Sequence, residues 1–280
     1  MAKLKHNDIE LFYEIRGDGP PLLLIPGLAS DSQSWMGVIG ELAAHFRVIA
    51  VDNRGSGRTT PMNVPLSISS MADDCIALIK ALGFPSVSMV GHSMGGFIAQ
   101  ECAIRYPTSV DRLVLMATSS SASKRNVMLF SDLATRFEQA YADSPSSGNM
   151  EGKRKAELSL WFREIFYWIF SERFFGDEKL FQAAVQYSLE YPFPQSPVAF
   201  RNQVNALAAF HREADISRIV AKTLVIGGGR DLLFSSDACA DFAKRVPGAV
   251  FTLIPEAGHS VHMDNPVEFL AAVKGFLRSM

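Results

Sequence analysis

A serine stands between two glycines in Gly91-His92-Ser93-Met94-Gly95, which follows an apolar run and precedes a stretch with helical spacing. The pattern G-x-S-x-G is typical of a tight strand-to-helix turn that presents a serine hydroxyl. Glycine is required on both sides because a bulkier residue two positions away would collide with the turn. The positive end of the following helix favours negative charge on an attacked carbonyl. The spacing therefore predicts Ser93 as a nucleophile.

A serine hydroxyl is a poor nucleophile unless a neighbouring base removes its proton, and that base needs a carboxylate to fix its tautomer. His259 follows the last apolar run, and Gly258 before it permits the loop to turn the imidazole back over the sheet. Asp231 follows the preceding apolar run, 28 residues before the histidine. These positions predict His259 as the base and Asp231 as the acid.

Four other polar residues compete for these roles and have simpler explanations. His92 adjoins the serine in sequence, so its side chain points elsewhere and packs or hydrogen-bonds behind the turn. Asp237 lies where a helix begins, and a carboxylate there stabilises the first turn. Asp74 lies inside a helical stretch and is interpreted as structural. His262 is expected near the cleft without being the base.

The elements that must position these residues alternate along the chain. Continuous apolar runs, typical of strands buried on both faces, cover residues 22–25, 48–51, 87–90, 113–116, 224–226 and 250–254. Helical spacing covers residues 34–45, 69–82, 95–106, 236–245 and 266–277. The alternation predicts a doubly wound α/β fold. Residues 9–16 alternate apolar and polar side chains, which predicts a half-buried antiparallel strand at the edge of the sheet.

Residues 119–215 interrupt the alternation with helical patterns dense in Phe, Trp, Met and Arg, separated at 144–148 and 191–197. We expect a helical cap that roofs a cleft, inserted into a core made of residues 1–118 and 216–280. Most of its aromatic side chains are expected to pack internally, and a few on common helical faces to line an apolar acyl pocket. The predicted substrate-binding residues are Gly27, Trp161, Phe166, Trp168, Phe234 and His262.

Composition excludes several classes of protein. Lys and Arg total 27 against 29 for Asp and Glu, so the net charge of −2 leaves no cationic excess to bind nucleic acid. The three cysteines form no C-x-x-C pair and indicate neither a disulfide framework nor a metal site. The first 14 residues lack the apolar stretch of a secretion signal, and no apolar segment approaches the ~20 residues that span a bilayer. We expect a cytoplasmic protein without membrane partners.

Two glycine-rich segments invite comparison with nucleotide-binding loops. Gly227-Gly228-Gly229 follows an apolar run, but Leu232 stands where G-x-G-x-x-G requires glycine. The segment 55–60 lacks the Gly-Lys-Ser/Thr ending of a phosphate loop. Nucleotide binding is therefore not expected.

The chain order serine, acid, histidine resembles that of the α/β-hydrolase superfamily. The segment 52–58 resembles the D-x-R-G-x-G-x-S/T loop common there, and Gly258-His259 with Pro266 downstream resembles the terminal motif of the family. The resemblance implies a mostly parallel eight-stranded sheet and a catalytic triad of Ser93, Asp231 and His259.

The resemblance also implies an oxyanion hole built from the backbone N–H groups of Leu28 and Met94, with no metal or organic cofactor. Pro26-Gly27 stands where many relatives have His-Gly, which is similar to the serine esterase, enol-lactonase and cofactor-free haloperoxidase branch. Dehalogenases and epoxide hydrolases of this fold use Asp as the nucleophile, so Ser93 points to acyl chemistry. We expect hydrolysis of a small hydrophobic ester or lactone through an acyl-enzyme. Thioesters, carbon–carbon bonds beside a carbonyl, and a receptor with little turnover remain alternatives.

Overall fold

The computed structural model describes residues 2–142 and 150–278. Its centre is one eight-stranded sheet in the order β1-β2-β4-β3-β5-β6-β7-β8. The strands are β1 (Ala2–His6), β2 (Ile9–Arg16), β3 (Pro21–Ile25), β4 (Arg47–Val51), β5 (Val87–His92), β6 (Val110–Met116), β7 (Lys222–Gly228) and β8 (Val250–Ile254). Strand β2 pairs antiparallel with β1 and β4, and the other pairs are parallel. The predicted mostly parallel eight-stranded sheet is confirmed.

The edge of the sheet differs from the expectation. The strand predicted at residues 9–16 is β2, but it lies second in the sheet, because β1 pairs along its outer side from Ala2 to His6. The placement of residues 9–16 at the edge was therefore wrong. Strand β1 contains Lys3 and Lys5 and exposes most of its side chains, so it lacks the continuous apolar run by which the buried strands were recognised.

Helices cover both faces of the sheet, as a doubly wound fold requires. The five core helices with predicted counterparts are α1 (Met36–Ala43), α2 (Ile68–Ala81), α3 (Met94–Arg105), α9 (Ser236–Arg245) and α11 (Pro266–Arg278). In β3, Leu23 and Ile25 enter the apolar cluster that contains residues of α2, α3 and α9. Leu22 and Leu24 enter the opposite cluster, which contains residues of α1 and α11. Burial on both faces explains the unbroken apolar runs.

Among its described residues, the predicted cap segment, residues 119–215, contains five helices between β6 and β7: α4 (Lys124–Ala142), α5 (Met150–Ile169), α6 (Glu172–Phe175), α7 (Glu178–Leu189) and α8 (Pro197–Ala208). The separator predicted at 144–148 lies outside the described residues, and the one at 191–197 lies mostly in the connection from α7 to α8. Within the described ranges, no helix is long and apolar enough to cross a membrane.

A buried ion pair ties the loop after β4 to α2. Arg54 donates from Nε to Asp74 Oδ2 at 2.6 Å and from Nη2 to Asp74 Oδ1 at 3.0 Å. Its third nitrogen donates to Asp8 at 2.7 Å. Burial raises the pKa of Asp74, and the guanidinium acts in the opposite direction. The structural interpretation of Asp74 agrees with this placement, because its carboxylate is 3% exposed and fully engaged.

We predict that Asp74→Ala lowers the free energy of unfolding by about 3 kcal/mol, because it leaves the Arg54 guanidinium buried without its bidentate partner. Urea titration followed by circular dichroism measures this loss. The matched control is Asp241→Ala, which removes an exposed carboxylate paired with Lys244 and should change stability little. Equal effects of the two substitutions would contradict the assignment.

Candidate active site

The turn between β5 and α3 holds Ser93 in a strained conformation. Its backbone has φ 53° and ψ −116°, a region that residues with side chains rarely occupy. Ser93 N donates to Met116 O at 2.9 Å, and Thr118 Oγ1 donates to Ser93 O at 3.0 Å. These two bonds from the end of β6 secure the turn on both sides of the serine, so its side chain is fixed where the strand ends.

Both glycines of the G-x-S-x-G pattern are required because a side chain would clash with nearby backbone. A Cβ on Gly91 would lie 2.3 Å from Gly95 O, so the turn itself excludes a side chain there. A Cβ on Gly95 would lie 2.1 Å from Ile25 O, at the end of β3. The second glycine therefore lets α3 begin directly against the loop that follows β3.

The predicted acid and base are in direct contact. Asp231 Oδ2 lies 2.9 Å from His259 Nδ1, and both side chains are at most 4% exposed. The other carboxylate oxygen accepts the backbone N–H groups of Leu233 and Phe234 at 2.7 and 2.9 Å. An ionised carboxylate only accepts hydrogen bonds, so Nδ1 carries the proton and Nε2 of His259 is the basic atom.

The loops that carry this pair approach each other through glycines. A Cβ on Gly228 would lie 2.3 Å from Gly258 O, and one on Gly229 would lie 2.2 Å from Pro255 O. The glycine run after β7 therefore allows close contact with the histidine loop after β8. Close packing of the two loops therefore explains Gly228 and Gly229, and a nucleotide-binding loop is not needed to explain them.

The predicted oxyanion donors, Leu28 and Met94, belong to the two segments that meet at Gly95. Leu28 follows the end of β3, and Met94 is the first residue of α3. Asn53 Nδ2 donates to Pro26 O at 3.0 Å and so holds the loop that carries Leu28. Among the described residues, no acceptor is found for the backbone N–H of Leu28 or of Met94. A Cβ on Gly27 would lie 3.3 Å from Ser93 Cβ, so the segment that carries Leu28 passes beside the serine.

Two other buried histidines, His92 and His262, lie behind His259. His92 Nε2 lies 3.0 Å from His259 O, and because a carbonyl only accepts, this nitrogen carries the proton of His92. The ring of His262 lies 4.9 Å from that of His92 and 4.3 Å from that of Trp35. Burial lowers the pKa of His262 to about 3 and lowers the pKa of His92 well below its usual value. Both histidines are therefore neutral at pH 7.

The predicted substrate-binding residues separate into two groups. Phe234 stacks on the ring of His259 with centroids 5.7 Å apart, and a Cβ on Gly27 would lie 3.3 Å from Ser93 Cβ. Phe234 therefore lies beside His259, and Gly27 lies beside Ser93. His262 was expected near the cleft as a substrate contact, but it is 1% exposed and packs against Trp35 in the core.

The predicted aromatic residues of the cap lie mostly in its interior. Trp161 donates from Nε1 to Leu133 O at 2.8 Å and stacks on Phe137. Phe166 belongs to a separate apolar cluster with Phe170, Phe181 and Val185. Trp168 is half-buried against the large core cluster. The spacing on common helical faces therefore reflects packing within the cap for Trp161 and Phe166.

Sequence reasoning assigned no role to Asn53 or Thr118, which hold the oxyanion loop and the serine turn. Asn53 follows β4 and Thr118 follows β6, so both lie beyond the carboxyl ends of parallel strands. That position was the available signal, because ligands bind at this edge of open α/β sheets. Neither residue type is distinctive enough to be singled out without the bond that it makes.

The neutral histidines predict a dependence of stability on pH. The pKa of His262 is 6.5 in an unfolded chain and about 3 in the fold, so the unfolded state binds the proton first as the pH falls. Stability is complete above pH 6.5 and falls by about 1.4 kcal/mol per pH unit below it for this residue. Urea unfolding at pH 7, 6 and 5 should show a shallower loss in His262→Gln than in the parent. A parental slope in His262→Gln would refute the account.

Comparison with known proteins agrees with this architecture. The sequence pattern of the alpha/beta hydrolase fold family matches residues 20–266. The chain is 28% identical over 273 residues to a protein of Agrobacterium fabrum named "Putative carbamate hydrolase RutD", covering 95% of this chain and 98% of that protein.

Two solved structures are similar throughout. The enol-lactonase of Burkholderia xenovorans has a TM-score of 0.84 and 21% identity, covering 99% of this chain and 100% of that chain. A thermophilic esterase of Thermogutta terrifontis has a TM-score of 0.81 and 24% identity, covering 96% and 93%. At these identities the structures show the shared fold alone. The family pattern spans most of the chain, and the protein belongs to the α/β-hydrolase family.

Proposed function

We propose that this hydrolase cleaves small carboxylic esters or lactones through an acyl-enzyme formed on Ser93. The observation that carries the proposal is the 2.9 Å contact between Asp231 and His259 at the same sheet edge as the strained serine turn. A carboxylate, an imidazole and a serine hydroxyl in this arrangement are the three groups that nucleophilic acyl transfer needs.

In the first half of the reaction, His259 Nε2 accepts the proton of the Ser93 hydroxyl as its oxygen attacks the substrate carbonyl. Asp231 stabilises the imidazolium that forms and keeps its Nδ1 proton in place. The N–H groups of Leu28 and Met94 bind the oxygen of the tetrahedral intermediate. Each such donor contributes about 3 to 4 kcal/mol to the transition state in comparable enzymes.

In the second half, the imidazolium of His259 protonates the leaving oxygen, and the carbonyl–oxygen bond breaks. An alcohol leaves from an ester, whereas a lactone ring opens and stays attached. His259 then removes a proton from water, which attacks the acyl-enzyme and releases the carboxylic acid. The hydroxyl of Ser93 recovers its proton, so the cycle needs no group beyond those of this chain and water.

The surroundings of the serine favour a small apolar acyl group. Ser93 is 3% exposed, and Phe234 and Leu28 belong to or pack on the core cluster that continues under the cap. Such apolar neighbours accept hydrocarbon more readily than a charged group. The names of the similar proteins include a lactonase, an esterase and a carbamate hydrolase, all of which act on an acyl carbon bonded to a heteroatom.

We predict that Ser93→Ala lowers hydrolysis of p-nitrophenyl acetate by about 10⁴-fold or more, because the acyl acceptor is lost. Intact-mass spectrometry during turnover should show one acyl group on the parent and none on the variant. A panel of esters from two to eight carbons, lactones, thioesters and carbamates would identify the preferred carbonyl. Parental activity in Ser93→Ala, or binding of these compounds without turnover by the parent, would contradict the proposal.

The two candidate histidines should differ sharply. His259→Gln is expected to leave only a small residual turnover, because the amide cannot accept the serine proton. His262→Gln is expected to retain much of the parental kcat, because this ring packs in the core behind the site. Steady-state kinetics on the same ester measures both. The reverse pattern would show that the base has been misassigned.

A further inference from the structure

The loop that carries His259 is attached to the cap where α5 ends. Gly258 N donates to Asp264 Oδ2 at 2.6 Å, and Ser171 N donates to the same oxygen at 3.0 Å. Ser260 N donates to Ile169 O at 2.8 Å. Backbone groups on both sides of His259 are therefore bonded, directly or through Asp264, to the last residue of α5 and to Ser171 just after it.

The two segments are also in steric contact. A Cβ on Gly258 would lie 2.7 Å from Ser171 N and 2.8 Å from the carbonyl carbon of Phe170. Sequence reasoning assigned this glycine to the turn of the histidine loop. The structure adds a second requirement, because the cap backbone occupies the space where a side chain would project.

Asp264 joins these segments through a single oxygen atom. Hydrogen bonds to an ionised carboxylate are roughly twice as strong as those between neutral groups. Ser171 is 4% exposed, so its N–H would be costly to leave without an acceptor. Asp264 itself lies at the end of the short helix α10 (Val261–Asp264), which follows the histidine loop directly. The Asp264 carboxylate therefore closes a hydrogen-bonded loop of residues 258–264 that contains His259.

We propose that Asp264 is a positioning residue that holds His259 in its working orientation. Because Asp264 also binds the cap, that orientation depends on the cap staying docked. The inference rests on the proposed role of His259 as the base. Asp264 does not touch the substrate; it acts on the histidine through the backbone of Gly258. The cap segment 169–171 then stays docked during turnover, and substrate enters without separating it from the histidine loop.

Asp264→Ala should lower kcat by about 100-fold with little change in KM, because loss of the bond lets the imidazole move by a fraction of an ångström to an ångström. Asp264→Asn should recover most of kcat, because its amide oxygen accepts the same two N–H groups. The matched control Asp241→Ala removes an exposed carboxylate and should keep the parental kcat. A kcat for Asp264→Ala within threefold of the parent would overturn the proposal.

A second pair of variants tests the steric contact without altering Asp264. Gly258→Ala should also lower kcat, because its methyl group forces the cap backbone and the histidine loop apart. The control is Gly37→Ala, a helical glycine of α1 whose added methyl meets nothing within 4 Å. Parental kcat in Gly258→Ala would contradict the coupling even if Asp264→Ala failed to fold.

A double variant, Asp264→Ala with His259→Gln, tests whether Asp264 acts through the histidine or supports the whole site. Residual hydrolysis in His259→Gln should be unchanged by adding Asp264→Ala, because no base remains to be positioned. A further 100-fold loss in the double variant would show that Asp264 supports the whole site and not the histidine. Full activity in His259→Gln alone would instead refute the proposed function, so the two failures give different results.

Discussion

The strained turn at Ser93 is the constraint on which the site depends. Its backbone is held by bonds from Met116 and Thr118 at the end of β6, and α3 starts against the end of β3 because Gly95 has no side chain. A conformation that is costly in isolation persists only when its neighbours determine it. The neighbours here are the central strands of the sheet, which are buried on both faces. Packing in the core therefore maintains the strained backbone of Ser93, and this backbone positions the hydroxyl.

The contact between Asp231 and His259 depends on the same edge of the sheet. Asp231 follows β7 and His259 follows β8, and the parallel pairing of these strands brings their carboxyl ends together. Burial of the pair weakens competition from water and strengthens the contact between carboxylate and imidazole. The neutral His92 behind it adds a donor to the carbonyl of His259 without adding a charge. The imidazole that contacts Asp231 is thus distinct from the two, His92 and His262, that burial holds neutral.

The sequence predicted the features whose residue types are constrained by local geometry. Gly91 and Gly95 have to be glycine, the parallel strands have to be apolar on both sides, and Asp231 and His259 have to follow strand ends. Strand β1 was missed because an exposed edge places few demands on composition. The cap was harder for a different reason: Trp161 and Phe166 share the spacing of a pocket lining, yet packing inside a cap selects the same spacing. Only tertiary contacts distinguish a pocket lining from packing inside the cap. They are also what places His262 in the core and not in the cleft.

The cap is bonded to the segments that follow β3, β7 and β8. Tyr191 donates to Asp31 beyond the oxyanion loop, where burial and the neighbouring Asp52 raise the pKa of that carboxyl. Asn126 of α4 donates to Leu233 O at 2.7 Å in the loop of the acid, and Asp264 joins the cap to the loop of the base. A cap that moved as a free lid would break all three contacts. The cap is therefore part of the same framework as these loops. Its position and the geometry of the site depend on the same contacts.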